Sequence, residues 1–185
     1  MEVAARQSGY FTAAQALDLG YSYPAQRYHV AQGNWERVER GIFRLPAWPV
    51  APHDDLVRWS LWSRGKAVVS HESALAVHEL GDVDPPRVHL TVPPTFRARA
   101  RGAVLHRGEL SESDVSWREG FKITTPLRSL VDVAAGELEI DHLARAIADA
   151  LARGLVTRRQ LRGKADEVGP KAGLRIERAL LEVAS

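Results

Sequence analysis

The stretch that most constrains this chain runs from Gly9 to Leu45, where helix starts and stops follow one another at short intervals. Thr12 stands as an N-cap hydroxyl ahead of Ala13, Ala14, Ala16 and Leu17, a short helix with small residues on its packing face. Gly20 ends it. Ser22 then caps a second helix that carries Pro24 within its first turn, where a missing N–H costs nothing, and Val30 on its inner side. Gly33-Asn34 stops that helix. Trp35, Val38, Ile42, Phe43 and Leu45 are β-type residues around the turn Arg40-Gly41, which predicts a two-stranded hairpin. Two helices and a hairpin in this order predict a winged helix-turn-helix, with the hairpin as wing.

In such a motif the second helix enters the major groove with its N-terminal residues toward the base edges. Here those are Ser22, Tyr23, Gln26 and Arg27, with Tyr28 and His29 as neighbours. Arginine can read guanine and glutamine can read adenine, while hydroxyls suit phosphate. Arg37, Arg40 and Arg44 are expected along the backbone. The competing reading is a small interaction module. A polar, basic second helix beside an arginine-edged hairpin is hard to explain as core, which favours DNA.

The chain has 185 residues, enough for one or two domains with a real core. Its 45% hydrophobic and 26% charged content is that of an ordinary globular protein. No apolar run approaches the roughly 20 residues of a membrane span, and the N-terminus lacks a signal peptide's basic start and apolar core. Without cysteine there is no disulfide, no thiolate metal site and no thiol nucleophile. A cytoplasmic protein without cofactor or metal is expected. Net charge is only +2, but the distribution is uneven. Arginines 87, 97, 99, 101 and 107 and the basic residues 153, 158, 159, 162 and 164 form two runs free of acids. Arg97, Arg99, Arg101, Arg158 and Arg159 are therefore candidate phosphate contacts.

Residues 46 to 53 hold three prolines and predict a linker. Asp54 is expected to cap a helix to about Arg64, and Ser70 or His71 to open another from Glu72 to Leu80, closed by Gly81. Val88 to Val92 alternates at period two and predicts a strand, with Val104-Leu105-His106 as its partner and Phe121 to Thr124 as a third. From Thr125 the pattern is helical: Pro126 to Ala134, about Ile140 to Arg153, a short helix capped by Thr157 and running through Leu161, and a last helix after Gly169-Pro170.

Catalytic constellations have little support. His71-Glu72 lacks the second histidine of a zincin, since Leu75 stands four positions on. His71 and His78 lie seven apart, two turns along one face, and could chelate a metal only with a third ligand; helix capping and packing are the plainer roles. Ser70, His71 and Asp82 make a triad only on paper, without a Gly-x-Ser-x-Gly elbow.

Taken as a series, Gly33-Asn-Trp-Glu-Arg-Val-Glu-Arg-Gly-Ile-Phe, Val69-Ser-His-Glu-Ser-Ala-Leu-Ala-Val-His-Glu-Leu, Val88-His-Leu-Thr-Val-Pro and Thr124-Thr-Pro-Leu-Arg-Ser-Leu-Val-Asp resemble the AbiEi-type antitoxins of type IV toxin–antitoxin systems. The resemblance spans about residues 5 to 160. It implies a winged helix that binds operator DNA and represses its own operon, joined to a domain that counters a nucleotidyltransferase-like toxin, with or without direct contact; two molecules on an inverted repeat are the usual way for one small winged helix to gain specificity. It places the DNA contacts on Ser22 to Arg27 and the wing arginines.

The expected fold is α+β, with a winged helix-turn-helix over residues 1–48 and a mixed α/β domain with a small sheet and a helical end over 54–185. The expected function is an antitoxin and autorepressor that is not an enzyme. A stand-alone winged-helix regulator with a sensor or dimerisation domain is the alternative. A metal-dependent nuclease or hydrolase using His71, Glu72 and His78 is the third reading.

Overall fold

A computed structural model describes residues 2–118 and 120–183. The chain divides into two compact units, Met1–Ala67 with Trp117–Phe121, and Val68–Ser116 with Lys122–Ser185.

The first unit contains α1 (Glu2–Ala5), β1 (Tyr10–Thr12), α2 (Ala13–Asp18), α3 (Tyr23–Ala31), β2 (Glu36–Glu39), β3 (Ile42–Arg44) and α4 (Asp54–Trp62). Thr12 caps α2 as expected, and does so in a reciprocal box: its hydroxyl accepts from Gln15 N while the Gln15 side chain accepts from Thr12 N. The bend between α2 and α3 passes through Gly20 at φ +89°, in the left-handed region that suits glycine. Ser22 caps α3, and Pro24 lies in its first turn.

The hairpin of β2 and β3 forms where the aromatic and branched residues predicted it. A third strand, β1, joins it antiparallel in the order β1-β3-β2, with Phe11 opposite Phe43. Sequence reasoning missed β1 and α1, because three or four residues are too few to show a period. Phe11, Trp35 and Phe43 build the core with Ala16 and Leu45; Phe11 meets Trp35 edge to face at 4.8 Å.

The proline-rich segment does not separate the units. Trp48 packs on this core and covers Gly9, where a Cβ would fall 2.5 Å from Trp48 Cβ. Helix α4 packs on β1 and β3 and lies in the first unit. Its start also differs from expectation: Asp54 is the first helical residue, and its Oδ2 reaches back to accept from Ala51 N at 2.9 Å.

The second unit holds β4 (Val68–Val69), α5 (His71–His78), β5 (Val88–Val92) and β6 (Ala103–Arg107). Then come β7 (Val115–Arg118) and β8 (Phe121–Thr124), whose inner ends the first unit shares, followed by α6 (Pro126–Ala135), α7 (Ile140–Ala152), α8 (Arg158–Val168) and α9 (Pro170–Val183). The sheet order is β6-β5-β4-β8-β7, with β5 antiparallel to β4 and parallel to β6, and β4 parallel to β8. The expected pairing of β5 with β6 is present. Leu75, Leu130, Leu143, Ile147, Leu161, Ile176 and Leu180 are fully or almost fully buried and join helices α5 to α9 into one core.

The Thr124 to Asp132 run is structural. Thr125 caps α6 and Pro126 occupies its first turn. Arg128 then donates to Asp132 at 2.8 Å and to Asp114 at 2.9 Å, and Lys164 binds the other Asp114 oxygen at 2.8 Å. Burial opposes ionisation of Asp114, but the bonds from Lys164 and Ser111 and the nearby Arg128 outweigh it and hold its pKa at about 2.

Candidate nucleic-acid interface

The exposed side of α3 carries Tyr23, Arg27 and Tyr28, with Ser22 at its start. Tyr23 and Tyr28 each leave 61% of their surface open, an unusual exposure for aromatic side chains in a small domain. Tyr23 and Arg27 are four residues apart and so share one face. Ser22 Oγ accepts from Ala25 N at 3.4 Å, which aligns the first turn.

Gln26 is not on this face, contrary to the expectation that it reads adenine. It is 2% exposed, and its amide nitrogen donates to Ala13 O at 3.1 Å and Tyr21 O at 2.9 Å. Both amide protons are thereby spent on tying α3 to α2 and to the turn. His29 also turns inward, stacking on Trp35 at 4.8 Å.

On the wing, Arg40 sits exposed in the turn, and Arg37 is exposed with its guanidinium 5.6 Å from the Phe43 ring centroid. Arg44 does not line the open side. Pairing with Tyr10 turns it toward the proline-rich segment, where it donates to Trp48 O at 3.1 Å and Pro49 O at 3.3 Å and faces Asp54 at 3.5 Å. With 12% of its side chain exposed, it is a brace.

The two basic runs have different fates. Arg153 donates to His78 O, Arg158 to Leu180 O, Arg162 pairs with Glu177, and Lys164 pairs with Asp114 and Glu167. Only Arg159 of that run stands exposed without such a bond among the described residues. Arg97, Arg99 and Arg101 are all exposed and form no ion pair or hydrogen bond among the described residues.

A second polar cluster lies at the start of α5. The His71 and His106 rings stack at 3.5 Å, and His106 Nε2 lies 3.2 Å from His89 Nδ1. His89 Nδ1 is also 2.6 Å from Glu72 Oε2. Thr91 Oγ1 donates to Ser70 Oγ, leaving the Ser70 proton for His71 Nδ1, the arrangement of a neutral imidazole. Burial, then the neighbouring His106, pushes His71 down to about 3. His106 is lowered by burial and by His89. Burial works against ionisation of Glu72, but the contact with His89 outweighs it and lowers its pKa.

His78 is remote from this cluster in role: its Nε2 donates to Thr124 O at 2.8 Å, so His71 and His78 do not converge as ligands. Thr91, rather than Asp82, is the third member beside Ser70 and His71. Ser73 Oγ accepts from His89 N at 2.8 Å. Among the described residues, no three histidine, aspartate or glutamate side chains are grouped to hold a metal ion. Sequence reasoning missed His89 and His106. They lie on different strands, and only the β5–β6 register places Thr91 opposite His106 and both imidazoles near His71.

Comparison with known proteins bears on the front of the chain and on its fold. Residues 1–46 match the family described as "Transcriptional regulator, AbiEi antitoxin". No curated protein matches the chain. Among solved structures, the RV2827C protein from Mycobacterium tuberculosis superposes with a TM-score of 0.67 at 17% identity. The match covers 98% of this chain and 74% of that one, a likeness of fold. Among the described residues, no helix is long and apolar enough to cross a membrane.

Proposed function

We propose, from residues 1–46 as the front of an AbiEi-type transcriptional regulator, that this protein is an autorepressor that binds inverted repeats of operator DNA and an antitoxin to a nucleotidyltransferase-like partner. The observation that carries the DNA reading is the solvent-facing side of α3, where Ser22, Tyr23 and Arg27 project from a helix whose inner side Gln26 fastens to α2. Arg27 is the base reader, best suited to guanine, and Arg37 and Arg40 hold the wing against phosphates. DNA reading is assigned to residues 1–48 and toxin counteraction to the part from residue 54 onward, where α4 packs within the first unit.

The Arg27→Ala variant is expected to lose about 1–3 kcal/mol of preference for the upstream operator over random duplex. Its melting temperature should match the wild type, because Arg27 makes no described bond within the chain. Equal preference in wild type and variant, measured by competition binding at fixed salt, overturns the role of Arg27. No preference in the wild type overturns operator binding altogether.

The antitoxin role is tested by growth: the neighbouring gene is induced with and without the full chain. Rescue by both wild type and Arg27→Ala is expected, since counteraction is assigned outside the DNA-reading helix. Failure of the wild type against a neighbour shown to be toxic removes the antitoxin role and leaves the regulator.

A further inference from the structure

We infer that the segment joining β5 to β6 is a second phosphate-binding surface, which Arg97, Arg99 and Arg101 dock on the sugar-phosphate backbone of duplex DNA; this rests on the DNA-binding reading above. Strands β5 and β6 are parallel, with Val88 opposite Ala103 and Val92 opposite Arg107. The segment between them must therefore run back along the strands, over about 13 Å for five residues. The strand it leads into, β6, is an edge strand of the sheet. Along this return the arginines recur at every second residue, Arg97-Ala98-Arg99-Ala100-Arg101.

Their availability separates them from most of the second basic run. The run on α8 and before it is largely spent on Glu177, Asp114, Glu167 and main-chain carbonyls. The loop arginines keep their guanidinium groups in solvent, and from Arg87 to Arg107 there is no acid to neutralise them. Three guanidinium groups without a partner among the described residues suit a line of phosphates, which each planar fork can grip with two N–H donors. Phosphate contacts carry no base information. The loop thus adds affinity and salt dependence, and α3 keeps the sequence preference.

The test titrates the full chain against its labelled upstream duplex between 50 and 200 mM salt, for the wild type and for Arg97→Gln/Arg99→Gln/Arg101→Gln. Each lost phosphate contact lowers the slope of log affinity against log salt by about 0.9, so the triple variant should be shallower by about 2.7. Over that fourfold change in salt the wild type should lose about 40-fold more affinity than the variant. The preference for operator over random duplex should be the same in both. The triple lysine variant, which keeps the charge, should keep the wild-type slope, and unchanged circular dichroism shows that both variants fold.

Parallel salt slopes with operator preference intact overturn the loop surface and leave the operator reading standing. A shallower slope in the variant without operator preference in either protein keeps the loop surface and overturns the operator reading. Absence of any DNA binding by the wild type overturns both, and an acidic protein partner then becomes the occupant to seek.

Discussion

Acidification from pH 7.5 to pH 5 should destabilise the second unit by about 2 kcal/mol through His71 alone. The sign follows from the direction of the shift. In the fold His71 is neutral, with its pKa held at about 3 by burial and by His106, and in the unfolded chain it takes a proton near pH 6.5. The unfolded state therefore binds more protons below pH 6.5. Stability falls as pH drops through that value and levels off below about 3. The groups facing His71 are His106, His89, Glu72 and Arg128, of which only Glu72 favours its protonation. His106, lowered by burial and by His89, adds to the loss in the same direction. Glu72 is held low, so its contribution is present above its ordinary pKa and is lost as pH falls below it.

Denaturant unfolding at a series of pH values measures the effect. His71→Asn is the informative variant, because His71 has φ +52° and asparagine tolerates that left-handed backbone. It should flatten the stability profile between pH 7 and 5 relative to wild type. A wild-type profile already flat over that range would show that His71 is not held neutral.

Replacing Gln26 by leucine should cost about 2–3 kcal/mol and abolish operator binding, although the residue cannot reach the DNA. The side chain is buried, and its amide bridges Ala13 O and Tyr21 O across the turn between α2 and α3. Leucine retains the volume and removes two hydrogen bonds, each contributing about 1 kcal/mol, while leaving two carbonyls with fewer donors in a buried place. The fall in thermal stability should accompany the fall in DNA affinity. Arg27→Ala should affect affinity alone. A Gln26→Leu protein with wild-type melting but altered base preference would return Gln26 to the reading face.

The two variants separate what local pattern reveals from what it hides. Ser22, Pro24 and Gly33-Asn34 announce α3, and its place in the turn names the residues that can meet DNA. Which way each points depends on packing: Gln26 and Arg27 are adjacent polar residues, and one helical step of about 100° puts one in the core and the other in solvent. Arg44 was misplaced for a related reason. Its neighbours on the hairpin suggested an open side, but β1, three residues long and invisible to periodicity, pairs with β3 and sets Arg44 against the 46–53 segment.

The basic runs make the same point with charge. Sequence counts cations, and both runs looked alike by that count. Whether a cation is available depends on the acids and carbonyls brought beside it from distant segments, such as Glu177 for Arg162 and Asp114 for Lys164.

By itself, then, the sequence determined the local elements and their order: the capped helices, the hairpin, the β5 alternation and the α+β class, because caps, glycine stops and periodicity act within a few residues. Tertiary structure alone decided the bury-or-expose choice at Gln26 and Arg44, the exposure of Arg97, Arg99 and Arg101, and the meeting of His71, His89 and His106. Those depend on strand register and helix packing between residues far apart in the chain, and no local propensity encodes them.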